Sequence, residues 1–132
     1  MINKISFAGL KGLSSPENKK NLKLLNQVYG KTFLDSAQTV FNRIDELSAD
    51  KDVFLHTSLK EGFAKDYMEF SITNPEQKVI ANSIFKMGST PEKYGNTKGL
   101  LKSLEILKQS FERNFVIDDE SSELSELINR YS

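Results

Sequence analysis

The chain contains no cysteine and no tryptophan, a single histidine and only three prolines among 132 residues. Without cysteine there is no disulfide framework, no thiolate metal site and no cysteine nucleophile, which removes every zinc-finger and thiol-protease reading. An excess of one charge is also missing, since 18 Lys plus Arg stand against 18 Asp plus Glu. That balance argues against a chain built wholly to bind nucleic acid or a membrane surface, though it leaves room for a local patch. Long apolar runs are absent too. Lys4, Ser6 and Lys11 interrupt the first segment, so it lacks the apolar core of a secretory signal. No stretch approaches the roughly 18 apolar residues of a membrane span, and no Asn-x-Ser/Thr acceptor occurs. The expectation is a cytoplasmic protein with no membrane partner.

What is present suits one soluble domain over 1–132. At this length folding buries roughly two thirds of the surface of the unfolded chain, enough for one core. Ile5 and Phe7 alternate with polar neighbours as a short first strand would, ended by Gly9 and Gly12. Ser15 followed by Pro16 is a helix start, and Leu22, Leu25, Val28 and Tyr29 continue at helical spacing to Gly30, which predicts a helix over 16–29. Phe33, Ala37, Val40, Phe41, Ile44 and Leu47 form the clearest apolar stripe in the chain and predict a helix over 33–48.

From Val53 the period changes to that of strands. Segments 53–59, 67–73 and 78–87 are rich in β-branched and aromatic residues. Asn74-Pro75-Glu76-Gln77 carries the chemistry of a type I turn, so the last two strands should form a hairpin. Leu100, Leu104, Leu107, Phe111 and Phe115 then predict a helix over 98–115, with Lys108 and Glu112 as an i,i+4 pair. A last helix over 120–131 would start at Asp118-Asp119-Glu120 and carry Leu124, Leu127, Ile128 and Tyr131 on one side. The order is β-α-α-β-β-β-α-α. The fold class is α+β, a small antiparallel three- to four-stranded meander packed on one face by amphipathic helices.

Tests for chemistry fail one after another. His56 shares a strand face with Phe54 and Ser58, with Glu61, Asp66 and Glu69 within reach in sequence, but no Gly-x-Ser-x-Gly elbow presents a nucleophile. Asp50-Lys51-Asp52 with Glu61 imitates the ends of an EF-hand loop, yet Phe54 and Leu55 stand where an oxygen ligand and a glycine are required. Gly62-Phe63-Ala64 is followed by Lys65 and Asp66 where an RNA-recognition signature needs an aromatic and Val. Gly95, Lys98 and Gly99 in the polar 88–99 loop, ahead of a helix, form a weak candidate anion site without P-loop spacing. The 9–15 segment ahead of the first helix is a second.

Charge is unevenly spread, with five lysines against one acid over 1–30 and one base against five acids over 116–132. Tyr94, amid the polar loop, is the aromatic expected to be exposed as a partner anchor. The acids Asp118, Asp119, Glu120, Glu123 and Glu126 are the other candidate contacts. Elimination leaves a non-enzymatic protein-interaction module as the first expectation: an inhibitor, immunity-type protein, adaptor or regulatory subunit. A small-ligand or anion-binding domain or minor enzyme using the Gly88 to Gly99 loop, with Gly95, Lys98 and Gly99 as the anion site, is the second. No cofactor and no metal are expected, nucleic acid is disfavoured, and a homodimer is compatible with either reading.

Overall fold

In the computed structural model the described residues are 8–63, 65–88 and 94–131, with side chains described through Phe115. The order is β1 (Leu10–Lys11), α1 (Pro16–Tyr29), α2 (Lys31–Leu47), β2 (Val53–Glu61), β3 (Asp66–Thr73), β4 (Val79–Gly88) and α3 (Thr97–Tyr131). The four strands lie in one sheet in sequence order. β2, β3 and β4 form the antiparallel meander, while β1 adds to β2 in parallel, which makes the sheet mixed.

Two elements differ from the sequence reading. The strand expected at Ile5 and Phe7 lies outside the described residues. A two-residue strand instead forms between Gly9 and Gly12, because Asp45 of α2 accepts the backbone N–H groups of Gly9 at 2.7 Å and Leu10 at 3.0 Å and pins the chain beside Val53. Gly9 tolerates no side chain there, since a Cβ would stand 2.1 Å from the Ser48 carbonyl oxygen. The second difference is that the two helices expected over 98–115 and 120–131 are one helix, α3. No proline or glycine falls between Leu100 and Tyr131, so acidic residues at 118–120 have no breaker to support a new start.

The helices are otherwise placed as their stripes require. α1 occupies the expected residues, and α2 begins two residues early because Gly30 alone serves as the joint between the two helices. Leu22 and Leu25 of α1, Phe33, Phe41 and Ile44 of α2, and Leu100, Leu107 and Phe111 of α3 are buried against one face of the sheet. That face supplies Val53, Leu55, Met68, Phe70, Ile72, Phe85 and Met87. Each fully buried side chain of this size stabilises the fold by about 2 kcal/mol relative to exposure. Phe111 stacks on Phe115 with centroids 4.9 Å apart, and Tyr29 meets Phe85 edge-on at 5.6 Å. The expected Lys108–Glu112 pair gives way to two others: Lys108 Nζ lies 3.2 Å from Glu105, and Glu112 accepts from Arg43 of α2 at 3.1 Å.

The hairpin between β3 and β4 turns as its sequence predicts. Gln77 N–H donates to the Asn74 carbonyl at 2.9 Å, and the Asn74 side chain accepts from Lys78 N–H at 2.9 Å. Gln77 has a φ of 65°, so it occupies the left-handed region without being glycine.

Candidate functional site

The second face of the sheet carries none of the described helices. Strand alternation and the observed register arrange its side chains in cross-strand rows. Lys60, Tyr67 and Lys86 form one row, Ser58, Glu69 and Ile84 the next, His56, Ser71 and Asn82 the third, and Phe54, Thr73 and Val79 the last. Lys60 Nζ reaches diagonally to Glu69 at 3.5 Å. Ile84 is 56% exposed and Val79 54%, so two large apolar side chains of the edge strand β4 stand open on this face.

At the lower end of this face Phe54, His56, Ser71, Thr73, Asn74, Pro75 and Gln77 line an open hollow of about 580 Å³. His56 Nε2 and the Thr73 hydroxyl are 2.9 Å apart. None of the three acids proposed from sequence orients the imidazole: Glu69 is paired with Lys60, Asp66 with Tyr94, and Glu61 stands opposite Asp66 at the far end of β2. The lining contains no Asp, Glu, Lys or Arg. At the other end of the sheet Phe63, at the tip of the β2–β3 hairpin, is fully exposed.

Tyr94 is not the exposed anchor expected of a loop tyrosine. It is 9% exposed, belongs to the core, and its hydroxyl donates to the Asp66 carboxylate. Burial first, then the bond to Asp66 and the negative charges of Asp66 and Glu61, push this hydroxyl up to about 12. The neighbouring Tyr29 hydroxyl is raised by burial alone and has no hydrogen-bond partner among the described residues.

Gly95, Lys98 and Gly99 do lie together at the start of α3, but this helix end is already capped. Asn96 accepts the Gly99 N–H on Oδ1 at 3.1 Å and donates from Nδ2 to the Lys86 carbonyl at 3.2 Å. A Cβ on Gly99 would sit 2.4 Å from that Nδ2, which explains the glycine without an anion. Gly95 and Lys98 are exposed. The side chains of Asp118, Asp119, Glu120, Glu123 and Glu126 lie outside the described residues. Among the described residues no three His, Asp or Glu side chains come together to hold a metal, and no helix is long and apolar enough to cross a membrane.

Sequence reasoning passed over a buried polar network at the outer edge of β2. Asn18 of α1 uses all four of its hydrogen-bonding positions there. Nδ2 donates to the carbonyls of Gly12 and Leu55, each at 2.7 Å. Oδ1 accepts from the Thr57 N–H and the Thr57 hydroxyl, again each at 2.7 Å. Asn21 donates to the same hydroxyl at 2.9 Å. Both asparagines are under 4% exposed, at 3% and 1%. Their positions one turn before Leu22 and Leu25, on the apolar side of α1, were the available signal.

Geometry therefore defines a class, an α+β domain with three helices on one face of a mixed four-stranded sheet and a second face that none of the described residues covers. No protein-family model matches the chain, and no curated protein or solved structure matches it either.

Proposed function

We propose that the chain is a non-enzymatic protein-interaction module that uses the uncovered face of its sheet. The observation supporting this is the exposure of Ile84 and Val79, more than half accessible, among the half-buried rings of Phe54 and Tyr67. Apolar area flanked by lysines, serines and asparagine has the composition of an interface core with a polar rim. Buried Tyr94 contributes to the fold rather than to this surface. Inhibitor, immunity-type protein, adaptor and regulatory subunit are all roles that such a face serves.

The test is capture of a stoichiometric partner with the tagged chain, compared with Ile84→Lys and Val79→Lys. Both changes point away from the core, so circular dichroism should be unchanged while the partner is lost. Retention of the partner by both variants would overturn the assignment to this face.

The hollow beside His56 supports a second reading, a site for a small uncharged ligand. Gln77, strained at positive φ, lines it, and strained non-glycine residues concentrate at functional positions. A thermal-shift panel of neutral polar compounds decides this reading, because a ligand bound only by the native state raises Tm. A shift lost in His56→Ala supports it, and silence across the panel removes it.

A further inference from the structure

The outer edge of β2 is finished over only part of its length. Residues along a paired strand alternate between bonding inward and outward. Thr57 N–H and the Leu55 carbonyl both bond Asn18, so the odd-numbered residues of β2 form the outward row. β2 runs against β3 over 54–61 without a register shift, which places Leu59 and Glu61 in that row too. β1 ends opposite Phe54. Among the described residues, no hydrogen bond reaches the outward N–H and C=O groups of Leu59 and Glu61, whereas Thr57 is buried at 5% exposure, so the open part of the row is at 59–61. Such a row is a template for another strand.

Charge decides which strand fits. α1 is the helix that reaches this edge, and it exposes Lys19, Lys20 and Lys23; Lys60 lies on β2 and Lys11 ends β1. The acids nearby are Glu17, Glu61, Asp66 opposite it, and Glu69, which already pairs with Lys60, so the lysines of α1 carry the local excess of positive charge. A second copy paired symmetrically about Leu59 would bring two lysine-rich helices side by side, whereas an acidic chain would be attracted by the same lysines. We propose that the 59–61 edge of β2 docks an extended acidic segment of another protein as a fifth strand. Phe63, just beyond Glu61 at the hairpin tip, offers an apolar contact at the end of that strand. This rests on the interaction reading above and names the chemistry of the partner and where it binds.

The experiment pans random dodecapeptides displayed on phage against the full chain, then titrates the selected peptides into isotope-labelled protein. Enrichment of Asp and Glu is expected, with chemical-shift changes and slowed exchange at the Leu59 and Glu61 amides. Glu61→Pro removes one outward N–H while sparing the β2–β3 ladder, and should weaken binding about tenfold, whereas Glu61→Ala should not. Should Glu61→Pro fail to fold, the surface double variant Lys20→Glu with Lys23→Glu should weaken acidic peptides by a similar factor. No enrichment, enrichment without acidic bias, or shifts confined to Tyr67 and Ile84 would each overturn the proposal. So would dimerisation in sedimentation runs that protects the same amides. Peptides lost on Ile84→Lys but held by Glu61→Pro would keep the interaction reading and remove the edge.

Discussion

At the β4 edge of the sheet, side chains of Asn96, Ser103 and Asn114 reach the carbonyls of Lys86, Ile84 and Ile80, while at the β2 edge closure stops at Thr57. Ser103 and Asn114 belong to α3 and Asn96 is its cap, so one helix lies along the whole of β4. β2 has only a two-residue strand and two asparagines. Both edges present the same backbone groups, and the difference lies in what flanks them. A long helix beside a strand can reach outward groups along its length, here three carbonyls, whereas a short helix crossing at one point covers one bonding unit and leaves the remainder. On the proposal above, this uneven finish is what directs strand addition to the β2 side.

The sharpest way to break this comparison is Asn18→Leu. The substitution keeps the number and branching of the side-chain heavy atoms but leaves the buried Thr57 N–H and Leu55 carbonyl without partners. Unpaired buried groups cost about 1 to 3 kcal/mol each, so a loss of about 3 kcal/mol in urea denaturation is expected. A loss below about 1 kcal/mol would mean that water replaces the amide, and that the edge was never closed there.

Tyr94→Phe tests how the start of α3 is held to the sheet, because the Tyr94 hydroxyl bonds Asp66 at the first residue of β3. Loss of a hydrogen bond to a half-buried carboxylate should cost about 1.5 kcal/mol at neutral pH. The pH dependence gives a separate readout. The hydroxyl titrates near 10 when unfolded and at about 12 when folded, so the native state holds the extra proton between those values. Its contribution is complete below pH 10 and is lost as pH rises through 12. Wild-type stability should therefore fall more steeply than that of Tyr94→Phe above pH 10, with Tyr29 adding the same downward trend to both.

Asn114→Ala probes the closed edge directly and should cost less, about 1 kcal/mol. Its amide donates to the Ile80 carbonyl at 2.8 Å from an exposed position, where water can take over the acceptor. Equal losses for Asn114→Ala and Asn18→Leu would contradict the contrast between the edges, since one network is buried and the other is wet.

Much of the architecture was legible because it rests on periodicity. The stripes of α2 and of Leu100 to Phe115, the alternation in β3 and the Asn74-Pro75 turn all state locally which face goes inward. The features that define the edges are not local in this sense. Asn18 and Asn21 pair with residues 36 to 39 positions away, so their role depends on a meeting that no window of α1 contains. Tyr94 misled for the same reason: a tyrosine in a polar stretch reads as exposed, and only the return of the chain past Asp66 buries it. The single helix in place of two shows the opposite case, where an acidic run suggests a boundary although no residue there opposes helix continuation.

The smallest expected effect concerns the hairpin that delivers β4 to its closed edge. Gln77 holds a left-handed conformation that costs an L residue about 1 kcal/mol or more, and the turn needs only its backbone N–H for the bond to Asn74. Gln77→Gly relieves that strain but frees the unfolded chain, so a net gain of about 0.5 kcal/mol is expected, read as a small rise in Tm. The sign carries the information. A gain means that the fold tolerates a strained residue it does not need, which strengthens the case that Gln77 serves the hollow beside His56. A loss would mean that its side chain stabilises the hairpin, and the strain would then say nothing about a ligand.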